Sequence, residues 1–249
     1  MKLRKIAAAV LSLSLVCGAV PCYVSADVVE TINNTMSSSE IASGDCGDIT
    51  GSDVTWVLDD TYTLTISGEG SMVSTDLYPW REYEKSITNI IIEDGVTSIG
   101  RNAFSNCDAL TAITISDSVI EIGWHAFDDC DALTSVTVPD SVTIVEECVF
   151  NSCKALTAIN VDADNEHYCS VDGVLFNKSM TELVCYPSKK EGVSYSVPDG
   201  VQKIVNKAFC DVELTNISLP GSLQVIEMYA FKQARQLVEI NLPEGLVII

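Results

Sequence analysis

The side chains best suited to chemistry are the eight cysteines after position 26, the two histidines and a recurring set of acids. Cys107, Cys130 and Cys153 are spaced 23 residues apart, and Cys46, Cys148, Cys169, Cys185 and Cys210 complete the set. An even cysteine count in an exported chain ordinarily suggests disulfides. A fixed spacing instead stacks the three equivalent side chains in parallel, about 4.8 Å apart if the stacked segments are strands. A bridge needs Cβ atoms that face each other, which a parallel column does not provide. These three are expected as buried free thiols that pack like small apolar groups. There is no Cys-x-x-Cys pair to suggest zinc or redox chemistry.

His125 and Cys148 fall in one column, a single period apart, so a Cys–His nucleophile is conceivable. Asn102, Lys207 and Tyr229 occupy the same column. That mixture is expected at a solvent-facing position, and no catalytic role is assigned. His167, beside Tyr168, reads as a loop histidine. Asp94, Asp117, Asp140, Asp199 and Glu244 recur after each apolar stretch, where calcium could relieve their mutual repulsion. Gly221 takes the position in one unit, so turn formation by Asp explains the column better. Gly68-Glu69-Gly70 lacks the third glycine of a nucleotide loop. Tyr78, Trp80 and Tyr83 could stack on a sugar, but packing against the first repeat is the expected use. No cofactor and no metal is expected, and the chain is not expected to be an enzyme.

These columns exist because the chain repeats. Ala103-Phe104, Ala126-Phe127, Val149-Phe150, Ala208-Phe209 and Ala230-Phe231 mark successive units. Seven apolar columns recur in phase, one running Ile90, Ile113, Val136, Ile159, Ile217 and Ile240. Leu-x-x-Ile-x-Ile reads as a short strand, the following Asp-Ser or Asp-Gly as a turn, Val-x-x-Ile as a second extended piece and Ala-Phe as a helical turn. One such coil cannot bury its own apolar side, whereas stacked coils bury a continuous ribbon. The expected fold is a repeat solenoid of the leucine-rich-repeat kind, a parallel β-sheet with short helical turns, preceded by a small β-hairpin cap module.

The chain divides accordingly. Lys2, Arg4 and Lys5, an apolar run from Ile6 to Val16, and Val24-Ser25-Ala26 make residues 1–26 a signal peptide cleaved after Ala26. Residues 27–43 read as a flexible leader rich in Ser, Thr and Asn. Residues 44–86 form the cap module, with Val54, Trp56 and Leu58 alternating before Asp59-Asp60, and Tyr62, Leu64 and Ile66 after it. The solenoid covers residues 87–249. It includes an irregular long unit at 156–191, with an Asp172-Gly173 turn, and a shortened last unit at 237–249. Leu242, Leu246, Ile248 and Ile249 are then exposed, and self-association through this open coil is expected, promoted by salt.

The composition narrows the partners. The chain carries 14 Lys+Arg against 35 Asp+Glu, a net charge of −21. Cleavage of the signal peptide removes three basic residues and no acid, leaving 11 against 35. Such a balance excludes a nucleic-acid binder, because phosphate neutralisation needs clustered Lys and Arg. No later segment reaches 18 consecutive apolar residues, so membrane insertion is not expected. What remains is surface. Thr111, Thr134 and Thr157 form one outward column and Thr114, Thr137 and Asn160 another, tiling an uncharged strip on an acidic body. A strip poor in charge suits the core of an interface.

The sequence resembles the BspA-type leucine-rich-repeat surface proteins. The likeness rests on Cys46-Gly47, Trp56-Val57-Leu58, Leu64-Thr65-Ile66-Ser67-Gly68 and Pro79-Trp80. It rests also on Val96-Thr97-Ser98-Ile99-Gly100-Arg101-Asn102-Ala103-Phe104 and on the run Val171 to Lys178. It covers about Asp45 to Ile249. The resemblance implies a secreted or cell-surface bacterial protein engaged in adhesion or protein–protein contact, with a protein or other cell-surface macromolecule as partner and no catalytic motif to carry over. An alternative expectation is a non-catalytic module of a longer extracellular enzyme or scaffold.

Overall fold

A computed structural model describes residues 38–248. The expected signal peptide, most of the expected leader and Ile249 lie outside the described residues. Each coil contributes a strand to one side, a shorter strand to a second side and turns to a third. On the first side, Thr63–Ser67, Asn89–Ile92 and Ala112–Ile115 pair in parallel, with Ile90 opposite Ile113. Ser135–Val138 and Ala158–Val161 pair in the same sense, and so do Ser194–Ser196, Asn216–Ser218 and Glu239–Asn241. On the second side, Val96–Ile99, Glu121–Ile122 and Ile144–Val145 form one parallel ladder. Glu182–Cys185, Lys203–Ile204 and Val225–Ile226 form another. The β-branched residues that favour extended backbone alternate inward, and that alternation builds the core.

The third side departs from a helix. Ala103 N bonds Gly100 O and Ser105 N bonds Asn102 O, giving single i→i−3 turns rather than a continuous helix. The turns are broken by left-handed residues at two recurring positions, with φ between 55° and 62°. Asn102, His125, Cys148, Lys207 and Tyr229 hold the first of these, and Asn106, Asp129, Ser152, Asp211 and Gln233 the second. Such backbone is unfavourable for most L-residues. It is held here because it aims N–H groups at the next coil: Asn102 N reaches Trp124 O at 2.9 Å and Asn106 N reaches Asp128 O at 2.8 Å. Inside, the phenylalanines form a column, with Phe104–Phe127 and Phe127–Phe150 centroids 5.4 and 5.7 Å apart.

Thr55–Asp59 and Thr63–Ser67 form an antiparallel hairpin, and the second of these pairs with the Asn89–Ile92 strand of the solenoid. Glu40–Asp45 adds a further antiparallel strand, so residues 40–43 are not leader but the outer edge of this sheet. The sequence hid this strand because Glu-Ile-Ala-Ser-Gly-Asp has no apolar alternation. Mostly exposed, the strand is held by its backbone pairing. Tyr78 and Trp80 are buried: the Trp80 ring stacks on Phe104 at 5.7 Å, and its Nε1 donates to Ala103 O at 2.9 Å.

The irregular unit contains the hairpin Tyr168–Val171 and Val174–Asn177 around an Asp172-Gly173 turn. Both turn residues have positive φ, 52° and 77°, as a two-residue hairpin turn requires. The core is in two parts that meet here. Leu175 packs with the first, which extends back to Trp56, while Val174 and Phe176 pack with the second, which reaches Ile226 and Ala230. At the far end Leu246 packs against the second core, Ile248 bridges to Val225, and Leu242, Val247 and Ile248 remain exposed.

Candidate functional site

The first side presents its outward positions as one face. Register places Thr65 beside Ile91 and Thr114, Thr137 beside Asn160, and Ser196 beside Ser218 and Asn241. The neighbouring column runs Asn89, Ala112, then Ser135, Ala158, then Ser194, Asn216 and Glu239. Glu239 is the one ionisable side chain in these two columns. All six residues expected at the surface, Thr111, Thr114, Thr134, Thr137, Thr157 and Asn160, are exposed. The structure separates them into two kinds. The Thr111 hydroxyl donates back to Thr88 O at 3.1 Å and the Thr157 hydroxyl to Thr134 O at 2.9 Å. This column therefore reinforces the stacking of coils, whereas Thr114, Thr137 and Asn160 stand free on the strands.

The two edges of this face differ in charge. Before each strand, a lysine of one coil meets an acid of a neighbouring coil: Lys85–Asp108 at 2.9 Å, Lys154–Asp131 at 2.7 Å and Lys189–Glu213 at 2.7 Å. After each strand, Asp94, Asp117, Asp140, Asp199 and Glu244 are exposed. None of these five belongs to an ion pair among the described residues. Asp94 instead accepts the Ser116 hydroxyl at 2.6 Å. The irregular unit also reaches the face. Its Asp172-Gly173 turn abuts Ala158, and Asp172 pairs with Lys190 at 2.8 Å. Sequence reasoning missed the lysine edge, although Lys85 and Asp108 are one period apart and charges could have been sought at that spacing.

The other candidates are structural. His125 is buried rather than solvent-facing, because Trp124, Asp128 and Lys207 pack against its ring. Its Nδ1 lies 2.6 Å from Asp128 and its Nε2 lies 3.4 Å from Lys207 Nζ. Burial pushes the Cys148 thiol up to about 11, which keeps it protonated near neutral pH. His125 thus spends both ring nitrogens on other groups, and Cys148 lacks the depressed pKa of a nucleophile. Cys107, Cys130 and Cys153 are buried free thiols. Cys130 Sγ donates to Phe104 O at 3.2 Å and Cys153 Sγ to Phe127 O at 3.1 Å, so the column hydrogen-bonds from coil to coil. Among the described residues no group of three or more His, Cys, Asp or Glu side chains could hold a metal ion.

This geometry agrees with relatives. The BspA type leucine rich repeat region matches residues 82–196 and 184–249, in six copies. The chain belongs to the BspA-type leucine-rich-repeat family. No curated protein matches it. Solved structures that share the fold include the following two. The pneumococcal vaccine antigen PcpA is 22% identical, over 82% of this chain and 72% of that one, with a TM-score of 0.59. A leucine rich cell surface protein from Faecalibacterium prausnitzii is 20% identical, over 86% of each chain, with a TM-score of 0.53. Members of such a family share a scaffold, which by itself does not fix a partner. No helix among the described residues is long and apolar enough to cross a membrane.

Proposed function

We propose that this BspA-type chain is an exported, non-enzymatic binding protein that works at or near the bacterial surface and engages a protein partner through its first β face. The observation that carries the reading is the contrast between the face and the body. Outward strand positions from Thr65 to Asn241 are almost all uncharged, on a chain with 35 acids and 14 bases. Desolvating Thr, Ser and Asn costs far less than desolvating carboxylates, and interface cores are accordingly poor in charge. Solenoids bind partners along such extended surfaces. Export is supported by the basic and apolar character of residues 1–26 and by the likeness to a cell surface protein.

The test is binding of residues 27–249 to a panel of purified extracellular and bacterial surface proteins, measured by interferometry. The comparison is with Thr114→Arg/Thr137→Arg, which sets two long charges in the middle of the face. Binding that is lost in the variant while thermal stability is kept supports the reading. Binding that survives unchanged, or no binding across the panel, overturns it.

A further inference from the structure

The two edges of the β face carry opposite electrostatic states. Along the edge that precedes the strands, Asp108, Asp131 and Glu213 are each neutralised by a lysine from a neighbouring coil. Along the edge that follows them, Asp94, Asp117 and Asp140 of three successive coils are exposed and without a cation among the described residues. Their intrinsic turn role does not call for the charge, since Asn forms the same turns. A row of like charges one coil apart is repulsive, and ions in bulk solvent screen it only partly at such short separations. A partner that brings cations to this edge relieves the repulsion and leaves the neutral strip to form the dry part of the contact.

From this asymmetry we infer that the partner of the face is a cationic polypeptide segment, laid in extended form along the solenoid axis with its Lys or Arg side chains on the Asp94–Asp140 edge. The inference rests on the binding reading above and specifies its partner. The spacings agree. Stacked coils advance about 4.8 Å each, so Asp94 and Asp140 stand about 9.6 Å apart, while three extended residues advance about 10 Å. A cation at every third residue therefore meets Asp94 and Asp140 in turn. The paired edge makes the orientation one-sided, because its acids already have their cations.

The experiment measures fluorescence anisotropy of a labelled peptide of seven Lys-Ser-Ser repeats with residues 27–249. An edge variant, Asp94→Asn/Asp117→Asn/Asp140→Asn, is compared with Asp45→Asn/Asp60→Asn/Glu82→Gln, which removes equal charge elsewhere. The edge variant is expected to weaken binding at least tenfold in low salt, and the second variant less than threefold. Equal weakening, meaning a diffuse field acting on the peptide, overturns the inference, as does absence of binding. Thr114→Tyr/Thr137→Tyr adds neutral bulk to the strip. If this variant weakens binding while the edge variant does not, the face binds but its partner is not recognised through cations. If neither does, the face reading falls as well. Sedimentation of the protein alone, showing a dimer broken by the tyrosine variant, would assign the face to a second copy and likewise overturn a cationic partner.

Discussion

The coils from Ile87 to Ala155 and the irregular unit from Leu156 to Glu191 solve one problem, burying an apolar ribbon, by different means. In the regular coils identical residues meet identical residues. Phe104, Phe127 and Phe150 stack at 5.4 and 5.7 Å, and Cys130 and Cys153 donate to the phenylalanine carbonyls of the preceding coil. In the irregular unit the phenylalanine column is interrupted, Val184 packs against both cores, and polar side chains add directed bonds. Asn165 is fully buried. Its Nδ2 donates to Pro139 O at 2.6 Å and Val142 O at 3.0 Å, and its Oδ1 accepts from His167 N and Tyr168 N. Ser152 Oγ reaches Asp211 at 2.9 Å and Asn206 Nδ2 reaches Glu147 at 3.0 Å, both across the unit. Repetition gives stability through packing, and the break in repetition depends on a few directed bonds.

The regular half of the comparison fails if its phenylalanine column is not the main support. Phe127 is fully buried between two rings, so Phe127→Ala should cost about 4 kcal/mol by lost transfer energy and cavity formation. Urea unfolding measures it, and a loss below about 1 kcal/mol would show that the column is dispensable.

The irregular half is tested by Asn165→Ala, expected to cost about 3 kcal/mol, because buried carbonyls and N–H groups lose their partner together. Since the two cores meet at this unit, the variant should also resolve one unfolding transition into two. A single transition with wild-type midpoint would mean that the side-chain bonds are incidental to the joint.

The thiol column sharpens the contrast through pH. Burial first, and nearby Glu84 second, push Cys107 up to about 12, above its ordinary value near 9. The folded chain therefore keeps a proton that the unfolded chain gives up. Stability from this group is complete below pH 9 and falls as pH rises toward 12, by about 1.4 kcal/mol per unit. Cys107→Ala should flatten the stability profile between pH 9 and 11. An unchanged slope would mean that the thiol is not sheltered. Cys169 of the irregular unit is only half-buried and is raised for the same first reason, with Lys178 opposing. Cys169→Ala should leave the slope nearly as it was.

Period explains what the sequence made legible. Every column that recurs every 23 residues carries its own evidence, so the solenoid and the buried fate of Phe127 and Cys107 could be read before any coordinates, and two-residue alternation on either side of Asp59-Asp60 marked the hairpin. Positions outside both patterns could not. The partition of Leu175 into one core and Val174 and Phe176 into the other follows from where the hairpin sits, which no local pattern encodes. His125 was misplaced because its column mixes polar types, while its burial comes from Trp124, Asp128 and a lysine, Lys207, brought in from beyond the irregular unit. The Thr114–Thr137–Asn160 strip was legible as outward residues, whereas the charge-paired edge beside it required lysines and acids of different coils to be brought together.

The smallest expected effect lies at the seam itself. On the second side, Glu146 N donates back to Ile122 O, so alternation of the parallel ladder directs Val145 N toward the following coil. No strand pairs there; Tyr168 Oη accepts that N–H at 2.9 Å, a phenol standing in for a backbone carbonyl. Tyr168→Phe removes only the oxygen and keeps the ring. A buried N–H left unpaired costs about 1–3 kcal/mol. The opening beside it, about 240 Å³ and lined by Val145, His167 and Tyr168, admits water to the orphaned group. The cost should therefore fall at the low end, about 1 kcal/mol, with faster hydrogen exchange confined to the Val145 amide. If Val145 keeps its protection in the variant, the ladder ends by some route other than this tyrosine. If exchange quickens throughout Ile144–Val145 and Glu121–Ile122, the seam is not a local patch, and the regular coils depend on the irregular unit more than their repetition suggests.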